Sequence, residues 1–425
     1  MLTYFLFPFY LIAGTIMLHA IIRRKGIDFT IYHTAMAVLF KVFLGCLYGY
    51  IFLHYYGGDD TWGYFLESRA ETDLLLNHPL RFIREFLPGL SLQAADNNGW
   101  RALVFYVVHF ENWFMVKSLA VLNLLSGKNY YIDVLWFDLI TMAGPLLLFK
   151  VLVRQFPSRA GMYYLLVFFI PSVVFWCSGI RAEALILLFI SIVIYNGKEY
   201  AQKPRWKNAA GIVFGLAGFL LFRAQYLVAF LPALLAYMLS VKNKRSTPVY
   251  FNTIYLAGLL IFISSLFLPP ALQLSRPLIQ TQQNFMVLHG NTRYRLDSLQ
   301  PGPLTLIEIL PQALANSALR PYPWEGKGLL QSLSSIENIF LFAGFLFFVI
   351  SIPKRHKVAD PVFWLFLYYG ITLLLGIGYT VPFPGAIVRY RCIPFLFLFI
   401  FLFSTNNLLQ QKLTDILFKK HYKNY

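Results

Sequence analysis

The sequence predicts an all-α polytopic membrane protein with about eleven transmembrane helices, its N-terminus outside and its C-terminus cytoplasmic. Three observations carry this. The 425 residues are 58% hydrophobic, 18% aromatic and only 13% charged. Apolar runs of the roughly 17 to 25 residues that cross a hydrocarbon core of about 30 Å recur almost end to end. Clusters of Lys and Arg punctuate those runs.

The balance of 36 Lys+Arg against 19 Asp+Glu is one signature of nucleic-acid binders. The basic residues, however, gather in short loops between apolar runs: Arg23, Arg24 and Lys25; Arg154 and Arg159; Lys198, Lys203, Arg205 and Lys207; Lys242, Lys244 and Arg245; Lys354, Arg355 and Lys357. The tail adds Lys412, Lys419, Lys420 and Lys423. Basic short loops mark the cytoplasmic face, so the formal excess of +17 sets orientation, and no nucleic acid is expected as a partner.

With those loops inside, the expected spans are residues 2–22, 31–53, 131–153, 160–177, 180–196, 208–222, 225–241, 248–268, 332–352, 361–380 and 387–404. The first run has no basic residue before it and Arg23 directly after it, so it reads as a retained anchor and not a cleaved signal peptide. Cys46, Cys177 and Cys392 lie in or beside spans at spacings that suggest neither a disulfide framework nor a metal knuckle. The whole of 1–425 is expected to form a single membrane domain.

Two long segments break the rhythm of short loops, a first outer loop at 54–130 and a second at 269–331. Loops of that length are usually functional or disordered. In the first, Leu80 to Leu87 repeats apolar residues at helical spacing, the pattern of a helix lying in the membrane interface. Ala102 to Leu125 is apolar but interrupted by His109, Glu111, Asn112 and Lys117; it is expected to be a juxtamembrane helix, with a buried pair of spans as the alternative.

Residues 209–240 form an apolar run split only by Arg223 and flanked at both ends by basic residues. Like flanks require an even number of crossings, so the chain should turn near Arg223. The first arm is then about 14 residues, roughly 21 Å long at 1.5 Å per residue, which would set Arg223 below the outer membrane surface. Residues 160–196 read the same way, with a turn at Cys177-Ser178-Gly179 and with Arg181 and Glu183 opening the returning helix. Ionisable groups at membrane depth are costly and usually face a cavity or a partner.

The sharpest local signal is Tyr55-Tyr56-Gly57-Gly58-Asp59-Asp60-Thr61-Trp62-Gly63-Tyr64-Phe65, directly after the second span. Two adjacent carboxylates on a glycine turn repel each other, which suits a general base or, with a cation, a metal site. The plain alternative is a solvated helix-stop turn. Arg181, Arg223, Arg389 and Arg391 stand at outer helix ends, and guanidinium forks match phosphate oxygens. Snorkelling, or a structural pair of Arg181 with Glu183 or of an arginine with an aspartate, is the alternative. Arg389 and Arg391 are two apart, so on a regular helix at most one reaches a given pocket. Lys41, His54, His109 and His289 read as structural or interfacial groups. Arg276, Arg293, Arg295 and Arg320 of the second outer loop are solvated charges by default, with an anionic glycan as the alternative contact.

An acidic motif at the end of an early span, followed by an outer loop with amphipathic helices, resembles the GT-C glycosyltransferases that use polyprenyl-phosphate sugars. The strings YYGGDDTWGYF, PSVVFWCSGIRAEALILL and FRAQYLVAFLPALLAY are similar to a polytopic branch of this type in Bacteroidetes-like bacteria. IVRYRCIPFLF is similar to the Arg-Tyr-x-x-Pro pattern before the last core helix of some members. The likeness covers roughly residues 31–404, and only the acidic turn is diagnostic. One departure stands out: the loop follows the second helix here and the first in the family, as an extra N-terminal helix would explain.

The resemblance implies Asp59 or Asp60 as general base, with Arg181, Arg223 and Arg389 or Arg391 on the donor phosphate, and Glu183, Tyr56 and Trp62 in support. It implies an inverting transfer from a polyprenyl-phosphate-linked sugar to a glycan or lipid acceptor at the periplasmic side of a bacterial inner membrane. A divalent cation, Mg or Mn on Asp59 and Asp60, is optional. A surface-polysaccharide polymerase or ligase is the nearest rival; a lipid or solute transporter or flippase comes from a different class. The absence of an internal sequence repeat disfavours a transporter built from inverted repeats.

Overall fold

The computed structural model of the chain describes residues 2–85, 99–242, 246–289, 292–325, 328–350, 360–404 and 410–418. All regular structure among them is helical. In order these are α1 Leu2–Arg24, α2 Ile31–Tyr56, α3 Asp60–Asn77, α4 Pro79–Glu85, α5 Gly99–Ser126, α6 Tyr130–Thr141, α7 Ala143–Gln155, α8 Ala160–Phe169, α9 Pro171–Trp176, α10 Ala182–Gln202, α11 Trp206–Lys242, α12 Thr247–Ser265, α13 Arg276–Val287, α14 Pro303–Leu314, α15 Leu329–Ile350, α16 Pro361–Thr380, α17 Pro384–Ser404 and α18 Gln410–Phe418.

Eight helical stretches among the described residues are long and apolar enough to cross a membrane: Phe5–Arg24, Ile31–Tyr56, Tyr130–Gln155, Ala182–Gln202, Trp206–Lys242, Thr247–Ser265, Pro361–Thr380 and Pro384–Ser404. That is the make-up of an all-α, multi-pass membrane protein. Large apolar side chains such as Phe5, Phe9 and Ile12 in α1 or Leu256, Leu259 and Leu260 in α12 are exposed, as helices solvated by lipid require.

Helix ends follow local chemistry. Thr30 caps α2 and forms a reciprocal box with His33, satisfying backbone donors that the first turn leaves open. Asn129 accepts the amides of Tyr131 and Ile132 at the start of α6, and Asp360 accepts that of Val362 ahead of α16, where Pro361 suits the first helical position. The expected span 131–153 is two helices joined at Met142. The expected span 160–177 is α8 and α9, interrupted before Pro171, where proline restricts the preceding residue to extended backbone.

The long helix α11 leaves helical geometry at Arg223, with φ −153 and ψ 79, a kink at the position where a turn of the chain was expected. The stretch expected as juxtamembrane helix or span pair is one continuous helix, α5. Of the expected interfacial stretch, α4 covers Pro79–Glu85; Phe82 is buried while Leu80 and Ile83 are exposed. Phe86 and Leu87, the end of the expected span 332–352, and the basic residues Lys244, Arg245, Lys354, Arg355, Lys357, Lys419, Lys420 and Lys423 lie outside the described residues.

The chain divides into two compact units, one built from Met1–Arg154 and Val167–Gln225 and the other from Gln155–Leu166 and Tyr226–Lys420. In the first, α3 packs along α5 over a polar seam: Asn123 Nδ2 donates to Ser68 Oγ at 2.9 Å and to Thr72 Oγ1 at 3.0 Å, flanked by fully buried Met115, Leu119 and Ala120. Lys117 crosses from α5 to Glu71 at 2.6 Å and stands over the Phe82 ring. In the second unit, α16 packs on α17 and Phe366 stacks on Phe397. Gln282 ties the segment at 294–299 to α16 by donating to Asp297 O and Tyr379 O while accepting from Leu299 N.

Candidate functional site: an aspartate and a buried arginine

Helix α2 ends because Gly57 takes φ +75 and Gly58 φ +115, a region that side chains with a Cβ disfavour. Gly58 N–H closes the end on Phe52 O at 2.9 Å. The two glycines deliver Asp59, in extended backbone, to the cap position of α3. Its Oδ1 accepts Thr61 N at 3.1 Å, Thr61 Oγ1 at 2.7 Å and Trp62 N at 3.4 Å. Its Oδ2 accepts the Tyr48 hydroxyl and Arg181 Nη1, the latter at 3.4 Å. Asp59 is therefore a fixed carboxylate with both oxygens engaged. Asp60, one residue on, is exposed in the first turn of α3, where the helix dipole favours negative charge.

Arg181 is buried at the cap position of α10. Its Nη1 donates to the Tyr48 hydroxyl oxygen and its Nε to Glu183 Oε2 at 3.3 Å. Its guanidinium stands 4.6 Å from the Tyr48 ring and 5.3 Å from the Trp176 ring, a cation–π setting for a desolvated cation. One guanidinium thus lies between two carboxylates, and its Nη2 is buried without a hydrogen-bond partner. A buried donor left open is uncommon and calls for an explanation.

The acidic turn is braced from the side. The Trp62 indole donates to Gly49 O at 2.9 Å, and its ring stacks on Tyr130 at 3.8 Å between centroids. The Tyr130 hydroxyl meets Thr61 Oγ1 at 2.9 Å. A Cβ at Gly49 would stand 2.3 Å from Tyr130 Cε1, so only glycine there admits the ring. Tyr56 is exposed at the end of α2 and stacks on Phe52.

Of the other arginines, Arg223 at the α11 break pairs with Glu111 of α5, both side chains mostly buried at 19% and 15% exposure. Arg391 lies in the second unit and is spent on structure: Nη1 donates to Ser317 O and Arg320 O, and Nη2 to Asn338 Oδ1. Arg389 is half-buried with its guanidinium over the Tyr390 ring, so the two arginines part as the two-residue spacing requires. Arg320 pairs with Glu325, and Arg295 with Asp297.

The structure therefore joins Asp59, Glu183 and Tyr48 around Arg181, with Trp62 in the brace. Sequence reasoning passed over Tyr48, Trp176 and Tyr130, because an aromatic in an apolar run looks like core. It also read Lys41 as a lone structural group and overlooked Asp138. Two opposite charges inside apolar runs are a usable signal, and they form an ion pair here.

Among the described residues no group of three or more His, Cys, Asp or Glu is arranged to hold a metal ion. With both Asp59 oxygens engaged, Asp59 and Asp60 do not fit a divalent-cation site. Compared with known protein families, curated proteins and solved structures, the chain matches none.

Proposed function

We propose that the chain is a membrane glycosyltransferase of the GT-C type, moving a sugar from a polyprenyl-phosphate donor to an acceptor hydroxyl at the periplasmic side of a bacterial inner membrane. The observation that carries this is the approach of Asp59 to Arg181, 3.4 Å across 122 positions of sequence, beside the exposed carboxylate of Asp60. A structural ion pair needs no exposed carboxylate next to it and no open guanidinium donor; this cluster has both.

The roles divide by accessibility. Asp60 is the general base, because its carboxylate is exposed while Asp59 is held by five donors. It takes the proton as the acceptor oxygen bonds to the anomeric carbon, and the bond from that carbon to the phosphate oxygen breaks, leaving the electron pair on the lipid phosphate with inversion. Arg181 Nη2 is the donor for that phosphate. Preorganised donors aimed at developing charge in a water-poor site contribute much of the rate in such reactions. Arg223, partly exposed and at a helix break, is a second phosphate contact, and Glu183 holds Arg181 in line.

This placement takes an eleven-span topology with the N-terminus outside. It follows when α11 counts as two arms, α8 with α9 as one broken span, and α15 as another. A transporter would use Lys41 and Asp138 as its path, but Lys41 is held by Asp138 and the Cys177 carbonyl, and Asp138 by Lys41 and the Gly179 amide. A polymerase or ligase would rely on the arginines of 269–331, of which Arg295 and Arg320 are paired with carboxylates.

The test is transfer from a polyprenyl-phosphate sugar by the purified full chain. Asp60→Asn should lower the rate by about 10²- to 10⁴-fold, the usual worth of a general base, with an unchanged unfolding midpoint. Full activity in Asp60→Asn and in Asp59→Asn would sink the proposal.

A further inference from the structure

Two charged side chains in apolar helices face each other in the first unit, Lys41 of α2 and Asp138 of α6, both buried. Lys41 Nζ donates to Asp138 Oδ1 at 2.7 Å and to Cys177 O at 2.5 Å. The same Oδ1 accepts Gly179 N–H at 2.9 Å. Ion pairs at membrane depth are costly and are expected where they serve a function.

The groups they hold belong to the turn between α9 and α10. Gly179 takes φ +70 there, and Arg181 N–H folds back on Gly179 O at 2.9 Å. The Cys177 carbonyl and the Gly179 amide are the two backbone groups the pair holds. An ammonium meets the first and a carboxylate the second, each of the sign the backbone dipole requires. A third group sets the approach: a Cβ at Gly45 would stand 2.5 Å from Asp138 Oδ2 and 2.8 Å from Gly179 N. Lys41, Gly45 and Tyr48 follow one another at helical spacing along α2, so one helix carries the clamp, the gap and the phenol that receives Arg181.

We propose that Lys41 and Asp138 are positioning residues: together they lock the turn from Cys177 to Arg181, so that the Arg181 guanidinium lands on Tyr48 and Asp59. The functional consequence rests on the proposed role of Arg181 toward a lipid phosphate; the locking itself does not. An apolar pair could join α2 to α6 equally well but would remove the hydrogen bonds to the Cys177 carbonyl and the Gly179 amide, each worth about 1 kcal/mol.

The experiment uses the full chain in detergent and three readouts: amide hydrogen exchange over residues 177–184, affinity for farnesyl phosphate, and the unfolding midpoint. The double variant Lys41→Met with Asp138→Asn removes both charges at once, and Gly45→Ala pries the turn without touching charge. Each should speed exchange in the turn at least tenfold and weaken farnesyl phosphate at least tenfold. Lys41→Arg, which keeps a cation opposite Asp138, should keep both near their wild-type values. Lys117→Met, which breaks the separate pair with Glu71, should lower the midpoint and leave both unchanged.

Unaltered exchange in the double variant, or faster exchange with undiminished affinity, would overturn the proposal. If the wild-type chain does not bind farnesyl phosphate, the transferase reading fails by itself, and the exchange result still decides whether the pair locks the turn.

Discussion

The Trp62 indole lies flat on the Tyr130 ring, 3.8 Å between centroids and 9° from parallel, and so joins the first turn of α3 to the first turn of α6. Trp62 also donates to Gly49 in α2. Three helices meet at one aromatic pair beside Asp59, the residue immediately before α3.

That brace makes Gly49 intolerant of enlargement. Gly49→Ala places a methyl group against the Tyr130 ring, and overpacking of this kind costs about 1 to 3 kcal/mol. The unfolding midpoint should fall, and near-ultraviolet circular dichroism should lose part of its tryptophan signal. Gly63→Ala, where no atom lies within 4 Å of the added Cβ, should be neutral.

Arg223 and Glu111 form a mostly buried pair across α11 and α5. Removing one partner leaves an uncompensated charge, at about 3 kcal/mol or more, whereas removing both costs far less. Glu111→Gln alone should therefore destabilise the detergent-solubilised chain more than Glu111→Gln with Arg223→Gln. The single and double variants compared by thermal unfolding decide the point.

Arg391 satisfies two carbonyls and the Asn338 amide oxygen at the base of the 319–325 turn. Arg391→Met should leave those acceptors open at about 1 to 3 kcal/mol each and lower expression of folded chain. Arg389→Met should not. An equal loss from both would mean that Arg391 is no more structural than its neighbour.

Much of this was legible from the residues alone. Apolar runs and basic loops announced a helical membrane chain; Gly57-Gly58 announced the end of α2; Arg223 marked the break in α11. The local pair of Arg181 with Glu183 was among the readings too; what was not legible is pairing across long stretches of chain. Asp59 and Asp60 look equivalent in sequence, yet one is a helix cap tied to Tyr48 and Arg181 and the other is exposed, a distinction set by backbone direction after two left-handed glycines. Arg181 and Arg391 look alike as arginines at helix ends, yet one meets carboxylates and the other carbonyls. Which carbonyls Arg391 finds depends on chain segments more than 70 residues away, and local spacing holds no record of that. Lys41 and Asp138, each a single charge in an apolar run, become informative only as a pair.

The most direct measurement is a double-mutant cycle between Asp59 and Arg181 on sugar transfer by the full chain. Asp59→Asn and Arg181→Lys should each lower the rate by about 10²-fold or more, the scale of a lost preorganised donor. The double variant should be no slower than the slower single one, because residues acting as one unit are not additive. Independent, multiplying losses, or no loss in either single variant, would contradict a working unit built on these two residues.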